Sequence, residues 1–224
     1  MKRPPRILCI GGHDPTGGAG IQADIETITA LGGQALSLVT ALTAQDTHDV
    51  ASLLPTPADF FSAAAGRLLH DIAPDAIKIG LIGSAALIPP LVRILRGFHG
   101  PVVLDPVLAA GGGFDLGAVS LVEAMRERLL PLITLATPNR AEARRLAERI
   151  DAAQAARALI HAGAGAVLLT GADEAEGTSS RITFILATAT RMRFNGRACR
   201  SATTDPAAPC RAPAPCISRR VTTP

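Results

Sequence analysis

The sequence predicts an α/β protein with a doubly wound, mostly parallel sheet that has helices on both faces. Over most of the chain, short β-rich runs alternate with amphipathic runs of helical length, a pattern that favours a parallel sheet. Several of the short runs, such as Val102–Leu104 and Ala166–Leu169, are apolar at every position, which is typical of strands covered on both faces. A chain of 224 residues is long enough for one such domain.

The predicted elements follow one another at the spacing that this fold requires. The predicted strands are Arg6–Ile10, Ala35–Thr40, Ala76–Ile79, Pro101–Leu104, Leu132–Ala136 and Ala166–Thr170. The predicted helices are Ile21–Leu31, Asp59–Leu69, Ala85–Arg96, Val119–Leu129, Ala141–Ile150 and Ala152–His161. Ligands of such sheets bind beyond the carboxyl ends of the strands. We therefore expect a site in the loops after Ile10, Thr40, Leu104 and Ala136.

Charge divides the chain into two parts. Residues 1–176 carry 14 Lys and Arg against 18 Asp and Glu, whereas residues 177–224 carry eight Arg and one acid, Asp205. The second part is rich in Arg, Ala, Thr and Pro and has no sustained period. We predict a domain over 1–176, incomplete at its C-terminal side, and a flexible or poorly structured tail over 177–224.

Composition excludes several classes of protein. No apolar run reaches the ~18 residues of a membrane span, and the start does not match a signal peptide, so a cytoplasmic protein is expected. Three of the four cysteines lie in the tail without metal or redox spacing. The Arg-rich tail has few interleaved aromatics and no recognisable nucleic-acid module, so we expect no nucleic-acid partner.

The first candidate site is the glycine-rich run Gly11–Gly20 after the first strand, which contains His13, one of five scattered histidines. It is not a P-loop, because no Gly-Lys-Ser/Thr follows. A dinucleotide loop, a structural turn and a loop for another small ligand all remain open.

Five polar residues, one in the first predicted helix and four after predicted strands, each have two interpretations. Asp24 is a solvated helix residue or a ligand group, and Gln45 is a turn former or a pocket amide. Asp105 is a turn residue before proline or a carboxylate for Mg²⁺. Asn139 and Glu142 form a capping box or a metal site.

Taken together, the motifs resemble one family. The matching segments are Gly11–Asp24, Val39–Gln45, Lys78–Gly80, Leu104–Val107 and Thr137–Glu142. They are similar, in order and spacing, to hydroxymethylpyrimidine/phosphomethylpyrimidine kinases, thiamine-pathway enzymes of the ribokinase-like superfamily. The resemblance covers about residues 5–176. It implies two ATP-dependent phosphorylations, first of 4-amino-5-hydroxymethyl-2-methylpyrimidine and then of its monophosphate, with ATP and Mg²⁺ as cofactors and a homodimer as the common assembly.

The resemblance also assigns residues. It implies a pyrimidine pocket lined by Gly12, Asp24, Gln45, Leu81 and Val107. Nucleotide contacts are implied for Asn139, Glu142 and Thr170, and magnesium contacts for Asp105 and Glu142. A pyridoxal kinase of the same superfamily and a non-catalytic pyrimidine-binding protein remain alternatives.

Two departures from the family pattern affect the phosphate site. Thr170-Gly171-Ala172 stands where the family often has Lys-Gly-Gly. The family's Gly-Ser/Thr-Gly-Cys motif, which forms the anion hole, is missing, so no catalytic residue is assigned.

A shifted reading frame would account for the missing motif. In this frame, the third base of each codon is read together with the first two bases of the next codon. The codons of Thr203–Cys210 then permit His-Gly-Ser-Gly-Cys-Thr-Leu, and the codons of Phe194–Arg200 permit Gln-Trp-Pro-Arg-Leu-Pro. We predict a frameshifted C-terminus that begins near Gly177, the alternative being a divergent Arg-rich tail with an interaction role.

Overall fold

A computed structural model of the chain describes residues 3–109 and 115–170, together with the backbone of residues 181–186 and 191–195. The strands are β1 (Arg6–His13), β2 (Gln34–Gln45), β3 (Val50–Pro55), β4 (Ala76–Ile79), β5 (Val102–Leu104), β6 (Leu135–Ala136), β7 (Ala166–Leu169), β8 (Arg181–Leu186) and β9 (Arg191–Asn195). The helices are α1 (Gly20–Ala30), α2 (Ala58–Asp71), α3 (Ile88–Arg96), α4 (Val119–Ala124), α5 (Arg140–Ala147) and α6 (Ala152–His161).

The strands form one sheet in the order β3-β2-β1-β4-β5-β6-β7-β8-β9. Neighbours from β2 to β7 pair in parallel, and the pairs β2–β3, β7–β8 and β8–β9 are antiparallel. The predicted α/β class with a mostly parallel sheet is therefore confirmed. Each of the six predicted strands has a counterpart, although the predicted strand Leu132–Ala136 shortens to two residues because Leu130–Leu132 forms a 3-10 turn that contains Pro131.

Two predicted helices are irregular. Ala85–Arg96 divides into a 3-10 turn over Ala85–Leu87 and the helix α3, which begins with prolines in its first turn. The predicted helix over Val119–Leu129 is α-helical only to Ala124, and a π-helical turn over Met125–Leu129 follows. Both irregular segments pack into the core, so tertiary contacts stabilise them.

Strands β8 and β9 lie inside the segment that the sequence predicts to be a flexible tail. β8 pairs with β7 over Ala166–Leu169, and β9 pairs with β8 from Arg181 to Asn195. These eleven residues form strands, whereas the sequence predicts a flexible or poorly structured tail over 177–224. The overall abundance of Arg and Pro conceals two β-rich runs, Arg181–Leu186 and Arg191–Asn195. The rest of 177–224 lies outside the described residues.

The main core lies on one face of the sheet. Alternate residues of the central strands, including Leu8, Ile10, Ile77 and Ile79, pack there against helices α2 to α6. The intervening residues, such as Lys78, point to the opposite face, where α1 packs against β1 and β2. The functional side chains described below belong to this second face and to the strand ends.

Among the described residues, no helix combines the length and the apolar character that crossing a membrane requires.

Candidate active site

A cavity of about 470 Å³ opens beyond the carboxyl ends of β1, β2, β4 and β5. This is the edge at which ligands of open parallel sheets bind, and the volume suits a small heterocycle with part of a second ligand. The residues predicted for a pyrimidine pocket all line this cavity: Gly12, Asp24, Gln45, Leu81 and Val107. His13 and Asp105 also line it. Their roles as ligand contacts stay predictions.

The glycine-rich run forms the end of β1 and the loop that leads into α1. Gly20, the first residue of α1, has φ +61, and a Cβ there would lie 2.5 Å from the backbone oxygen of Gly12. Only glycine permits this close approach without a shift of the backbone. The loop is therefore a structural turn that also lines the cavity, and its role as a loop for a small ligand stays a prediction.

Gly12 and Leu81 pack directly against each other on the cavity wall. A Cβ on Gly12 would lie 2.7 Å from Cδ2 of Leu81, so a larger residue at position 12 would displace the leucine side chain. Leu81 is held from its backbone side, because the buried Thr40 hydroxyl donates a hydrogen bond to the Leu81 carbonyl. The absence of a side chain at position 12 thus helps to set the shape of the cavity.

Asp24 is one partner of an ion pair and is not a solvated helix residue. Nζ of Lys78, on β4, lies 2.8 Å from Oδ2 of Asp24, and the two side chains are 27% and 19% exposed. Asp105 stands at the end of the next strand, where its backbone N–H donates to the Ile79 carbonyl. Burial raises the pKa of Asp105, Lys78 lowers it, and Asp24 raises it again. The second face of the sheet therefore places one cation near two carboxylates at the floor of the cavity.

Cys9 lies beneath this charged cluster in β1. Burial is the main reason that the pKa of its thiol rises to about 11, with a further contribution from Asp24. A thiol with this pKa stays protonated at neutral pH and is a poor nucleophile. The only cysteine among the described residues therefore belongs to the packing of the sheet.

Gln45 ends β2 and reaches the cavity beside Thr43. The hydroxyl oxygen of Thr43 lies 3.0 Å from Oε1 of Gln45 and 2.8 Å from the His13 carbonyl oxygen. These contacts join the end of β2 to the end of β1. The amide of Gln45 thus lies in a polar corner of the pocket.

The predicted nucleotide contacts form a second group, at the ends of β6 and β7. Asn139 caps α5 by accepting from the Glu142 backbone N–H, and the Glu142 carboxylate accepts from the Asn139 N–H, both at 2.8 Å. The predicted capping box is therefore confirmed. A backbone bridge joins Asn139 to Thr170, so the three residues are neighbours. None of them lines the cavity described above, and their contact with nucleotide stays a prediction.

The donor set for magnesium is small. In the part of the chain that the structure describes, no group of three or more His, Cys, Asp and Glu side chains is placed to hold a metal ion. One or two carboxylates such as Asp105 and Glu142 are nonetheless the usual protein contribution to a Mg²⁺ ion that takes its other ligands from phosphates and water. The residues present fit a metal that arrives with a nucleotide better than a resident ion.

Comparison with known proteins identifies the family. The family model described as phosphomethylpyrimidine kinase matches residues 14–206, which is most of the chain. The chain belongs to the phosphomethylpyrimidine kinase family. The motifs alone suggest that the family resemblance ends at residue 176. The match to the family model extends past Gly177 and includes β8 and β9.

Curated and structural relatives agree with membership of the phosphomethylpyrimidine kinase family. The hydroxymethylpyrimidine/phosphomethylpyrimidine kinase of Streptomyces coelicolor is 38% identical over 173 residues, which are 75% of this chain and 64% of that protein. The chain thus spans less than two thirds of the length of that relative.

Solved structures of two kinases have the same fold. A phosphomethylpyrimidine kinase of Clostridium difficile has a TM-score of 0.71 at 30% identity, and the match covers 80% of each chain. A Bacillus subtilis pyridoxal kinase, solved as an ADP complex, has a TM-score of 0.78 at 25% identity and covers 89% of this chain and 77% of that one. The ribokinase-like fold class predicted from the motifs is confirmed by this similarity.

The sequence analysis assigns no role to three side chains that line the cavity, those of Lys78, Asp14 and Thr43. Lys78 lies within the motif Lys78–Gly80, and a lysine between two isoleucines of a buried strand is itself a signal of a paired charge. Asp14 and Thr43 gave no comparable signal, because their importance depends on contacts that only the folded loops create.

Proposed function

We propose that this protein acts on 4-amino-5-hydroxymethyl-2-methylpyrimidine, with ATP as the phosphate donor and Mg²⁺ as the accompanying ion, and that the monophosphate is the second substrate. Family membership supports a phosphotransferase of this type. The observation that carries the choice of substrate is that Gly12, Asp24, Gln45, Leu81 and Val107 line one cavity at the carboxyl edge of the sheet.

The cavity has the chemistry that an aminopyrimidine requires. Leu81, Val107 and the flat surface of Gly12 provide apolar contact for a ring. The amide of Gln45 provides one donor and one acceptor side by side, which matches a ring nitrogen next to an exocyclic amino group. A cavity of this kind orients the hydroxymethyl group for transfer, and alignment supplies much of the catalysis in phosphoryl transfer.

The nucleotide side of the proposal rests on fewer observations. Asn139, Glu142 and Thr170 stand together at neighbouring strand ends, where a nucleotide would lie beside the pyrimidine. A bound Mg²⁺ would neutralise charge on the phosphates, and Asp105 and Glu142 are the carboxylates that we propose to contact it, directly or through water.

The sequence predicts that turnover by this chain is low. Residues 177–224 contain no Gly-Ser/Thr-Gly-Cys motif, and in acyl-transfer enzymes the removal of one oxyanion-hole donor alone costs about 100- to 1000-fold in kcat. We expect an ATP-coupled assay with the pyrimidine to give a rate at least about 1000-fold below that of an intact relative. A matched control is the same assay on the Streptomyces coelicolor relative. A rate within about tenfold of that control would contradict the assignment of the anion hole to the missing motif.

Binding measurements on the same protein distinguish two other functions from the proposed one. A non-catalytic pyrimidine-binding protein is favoured by the missing motif, and calorimetry would then detect pyrimidine binding without ATP hydrolysis. A pyridoxal kinase is favoured by the similarity to the Bacillus subtilis enzyme, although that similarity is 25% in identity against 30% for the phosphomethylpyrimidine kinase. Tighter binding of pyridoxal than of the pyrimidine would overturn our proposal.

A further inference from the structure

The guanidinium of Arg145, on α5, contacts both arms of the loop that follows Val107. Its two terminal nitrogens lie 2.8 and 3.1 Å from the two carboxylate oxygens of Asp115. The same nitrogens donate to the backbone carbonyl of Leu108, at 3.4 Å, and to that of Gly117. A two-pronged contact of this kind is the strongest geometry between arginine and a carboxylate. Arg145 therefore ties α5 to both arms of the loop.

The two arms of the loop also bond to each other. The Leu116 N–H donates to the Leu108 carbonyl at 2.9 Å, and the Gly117 N–H donates to Oδ1 of Asp115 at 2.9 Å. Gly117 lets the guanidinium pack closely, since a Cβ there would lie 3.2 Å from Cζ of Arg145. The hydrogen bonds from Arg145 and Gly117 lower the pKa of Asp115, so they favour its ionised form. These contacts form one connected network.

The network lies beside the cavity wall. Val107, Ala109 and Leu116 belong to the two arms and line the cavity, whereas Asp115 and Arg145 do not line it. A backbone bridge pairs Ala109 with Asp115, so the wall and the ion pair share the same stretch of backbone. The contacts that hold the two arms together therefore also set the position of the wall.

We propose that Arg145 is a positioning residue for the pyrimidine, because it holds the cavity wall of Val107, Ala109 and Leu116 in place without contacting the ring. The side chains of Arg145 and Asp115 are 36% and 63% exposed, and an exposed ion pair by itself is a weak constraint. Here the planar guanidinium also bonds to two backbone carbonyls, which a simple ion pair does not. This role rests on the proposed function and adds a residue to it that lies outside the motifs of the family resemblance.

Arg145 is expected to act on one ligand and not on the other. The first turn of α5 carries Asn139 and Glu142, the proposed nucleotide contacts, and their capping box is closed by their own hydrogen bonds. Loss of the Arg145 guanidinium leaves those bonds in place. It should therefore weaken the binding of the pyrimidine and leave that of ATP nearly unchanged, whereas a general loss of folding would weaken both.

The test is calorimetry of 4-amino-5-hydroxymethyl-2-methylpyrimidine and of ATP with Mg²⁺, each alone, on wild type, R145M and R3M. Methionine keeps an apolar stem but donates no hydrogen bond. R3M is the matched control, because Arg3 makes a two-pronged pair of similar exposure with Asp75, before the amino ends of β1 and β4.

We expect R145M to bind the pyrimidine about tenfold more weakly than wild type, since a loosened wall must be ordered on binding, and to bind ATP within about twofold. R3M should bind both ligands like wild type. D115A should reproduce the loss, and R145M/D115A should be no worse than either single variant, because the two residues act through one contact. Unchanged pyrimidine binding in R145M, or an equal loss for both ligands, would overturn the inference.

A second measurement needs no ligand. Amide hydrogen exchange at Leu116 and Gly117, whose N–H groups belong to the network, is expected to be at least about tenfold faster in R145M than in wild type, because the two arms can open locally. R3M should leave both rates unchanged. Unchanged exchange in R145M would overturn the inference even if the pyrimidine binds. Faster exchange in R145M, with no binding of the pyrimidine by wild type, would instead contradict the proposed function alone.

Discussion

Gly20 occupies a position that no other residue fits without a shift of the backbone. It has φ +61 and a virtual Cβ 2.5 Å from the Gly12 carbonyl oxygen, whereas Gly17, in the same loop, has φ +77 and no atom within 4 Å of its virtual Cβ. A side chain at Gly17 would therefore meet only the cost of a left-handed backbone. A side chain at Gly20 would meet that cost and, in addition, a steric clash with the backbone.

Substitution by alanine tests this separation. G17A is expected to lower the free energy of unfolding by about 1–2 kcal/mol, the cost of a left-handed L-residue. G20A is expected to lower it by about 1–3 kcal/mol more, because the new methyl group meets backbone that cannot move aside. Urea denaturation measures both. Equal losses in the two variants would contradict the close packing of the loop on β1.

Lys78 is the cation on which the two carboxylates of the cavity floor depend. In K78M, Asp24 loses its partner and Asp105 loses the positive charge that lowers its pKa. A loss of about 2 kcal/mol at pH 7 is expected, somewhat below that of a fully buried pair because Lys78 is partly exposed.

The pH dependence of K78M gives the sign of the effect. Without Lys78 the pKa of Asp105 is higher in the folded protein, so the carboxylate is destabilising above that pKa and the penalty disappears as pH falls and it protonates. The difference between wild type and K78M is therefore expected to be smaller at about pH 4 than at pH 7, by urea denaturation. The double variant D24N/K78M, which removes both charges, should be more stable than K78M at pH 7. If the loss of stability in K78M is the same at both pH values, the loss comes from the packing of the Lys78 side chain and not from its charge.

At the scale of elements, strands β8 and β9 extend the sheet beyond the predicted domain. β8 covers the edge of β7 along Ala166–Leu169. Without it, β7 would present unpaired backbone groups at an apolar edge strand. The sheet therefore predicts that the folded unit continues at least to Asn195.

Two truncations test where the folded unit ends. A chain that stops after residue 195 is expected to remain soluble and to unfold at the same urea concentration as the full chain. A chain that stops after residue 176 is expected to aggregate, because the β7 edge is exposed. Sedimentation and urea denaturation of the two proteins measure the difference. Equal solubility and stability of both truncations would instead support the boundary at 177.

The regular elements were predictable where the local pattern and the tertiary contacts agree. Apolar runs such as Val102–Leu104 identify the central strands, because only buried strands lack polar alternation. The pattern does not predict β3, because Val50–Pro55 is an edge strand that includes Ser52 and ends in proline. The π-helical turn at Met125–Leu129 was not predictable, since its amphipathic period resembles that of an α-helix.

In the candidate site, too, some residues could be predicted from the sequence and others could not. Residues inside long motifs, such as Gly12 and Asp24, were predictable because the resemblance assigns them. The partners that hold them were not, because Lys78 and Asp14 act through residues that are distant in sequence or in loops. Pattern identifies which side chains are special, but only the packing shows what each one contacts.

For the whole molecule, the two faces of the sheet are unequally covered. Five helices pack on the core face, while on the second face the described residues show α1 over β1 and β2 only. Val103, Leu135 and Leu168, which point to that second face on β5 to β7, are only partly buried. A further apolar layer over β5 to β7 would complete the burial of these residues.

The nucleotide sequence of the gene tests the origin of the C-terminal segment. The segment that permits a family-like reading in the shifted frame begins at Phe194, and β9 ends one residue later at Asn195. We therefore move the expected junction from Gly177 to the end of β9. Strands β8 and β9 pair in the sheet up to that point, and the family model matches the chain from residue 14 past that point to residue 206. We therefore expect the bases from codon 194 onwards, read one frame over, to encode Gln-Trp-Pro-Arg-Leu-Pro and then His-Gly-Ser-Gly-Cys-Thr-Leu without a stop codon. The bases between codons 177 and 193 are expected to give no family-like sequence when shifted. A stop codon within the shifted stretch, or a different set of wobble bases, would leave the Arg-rich segment as a genuine divergence of this protein.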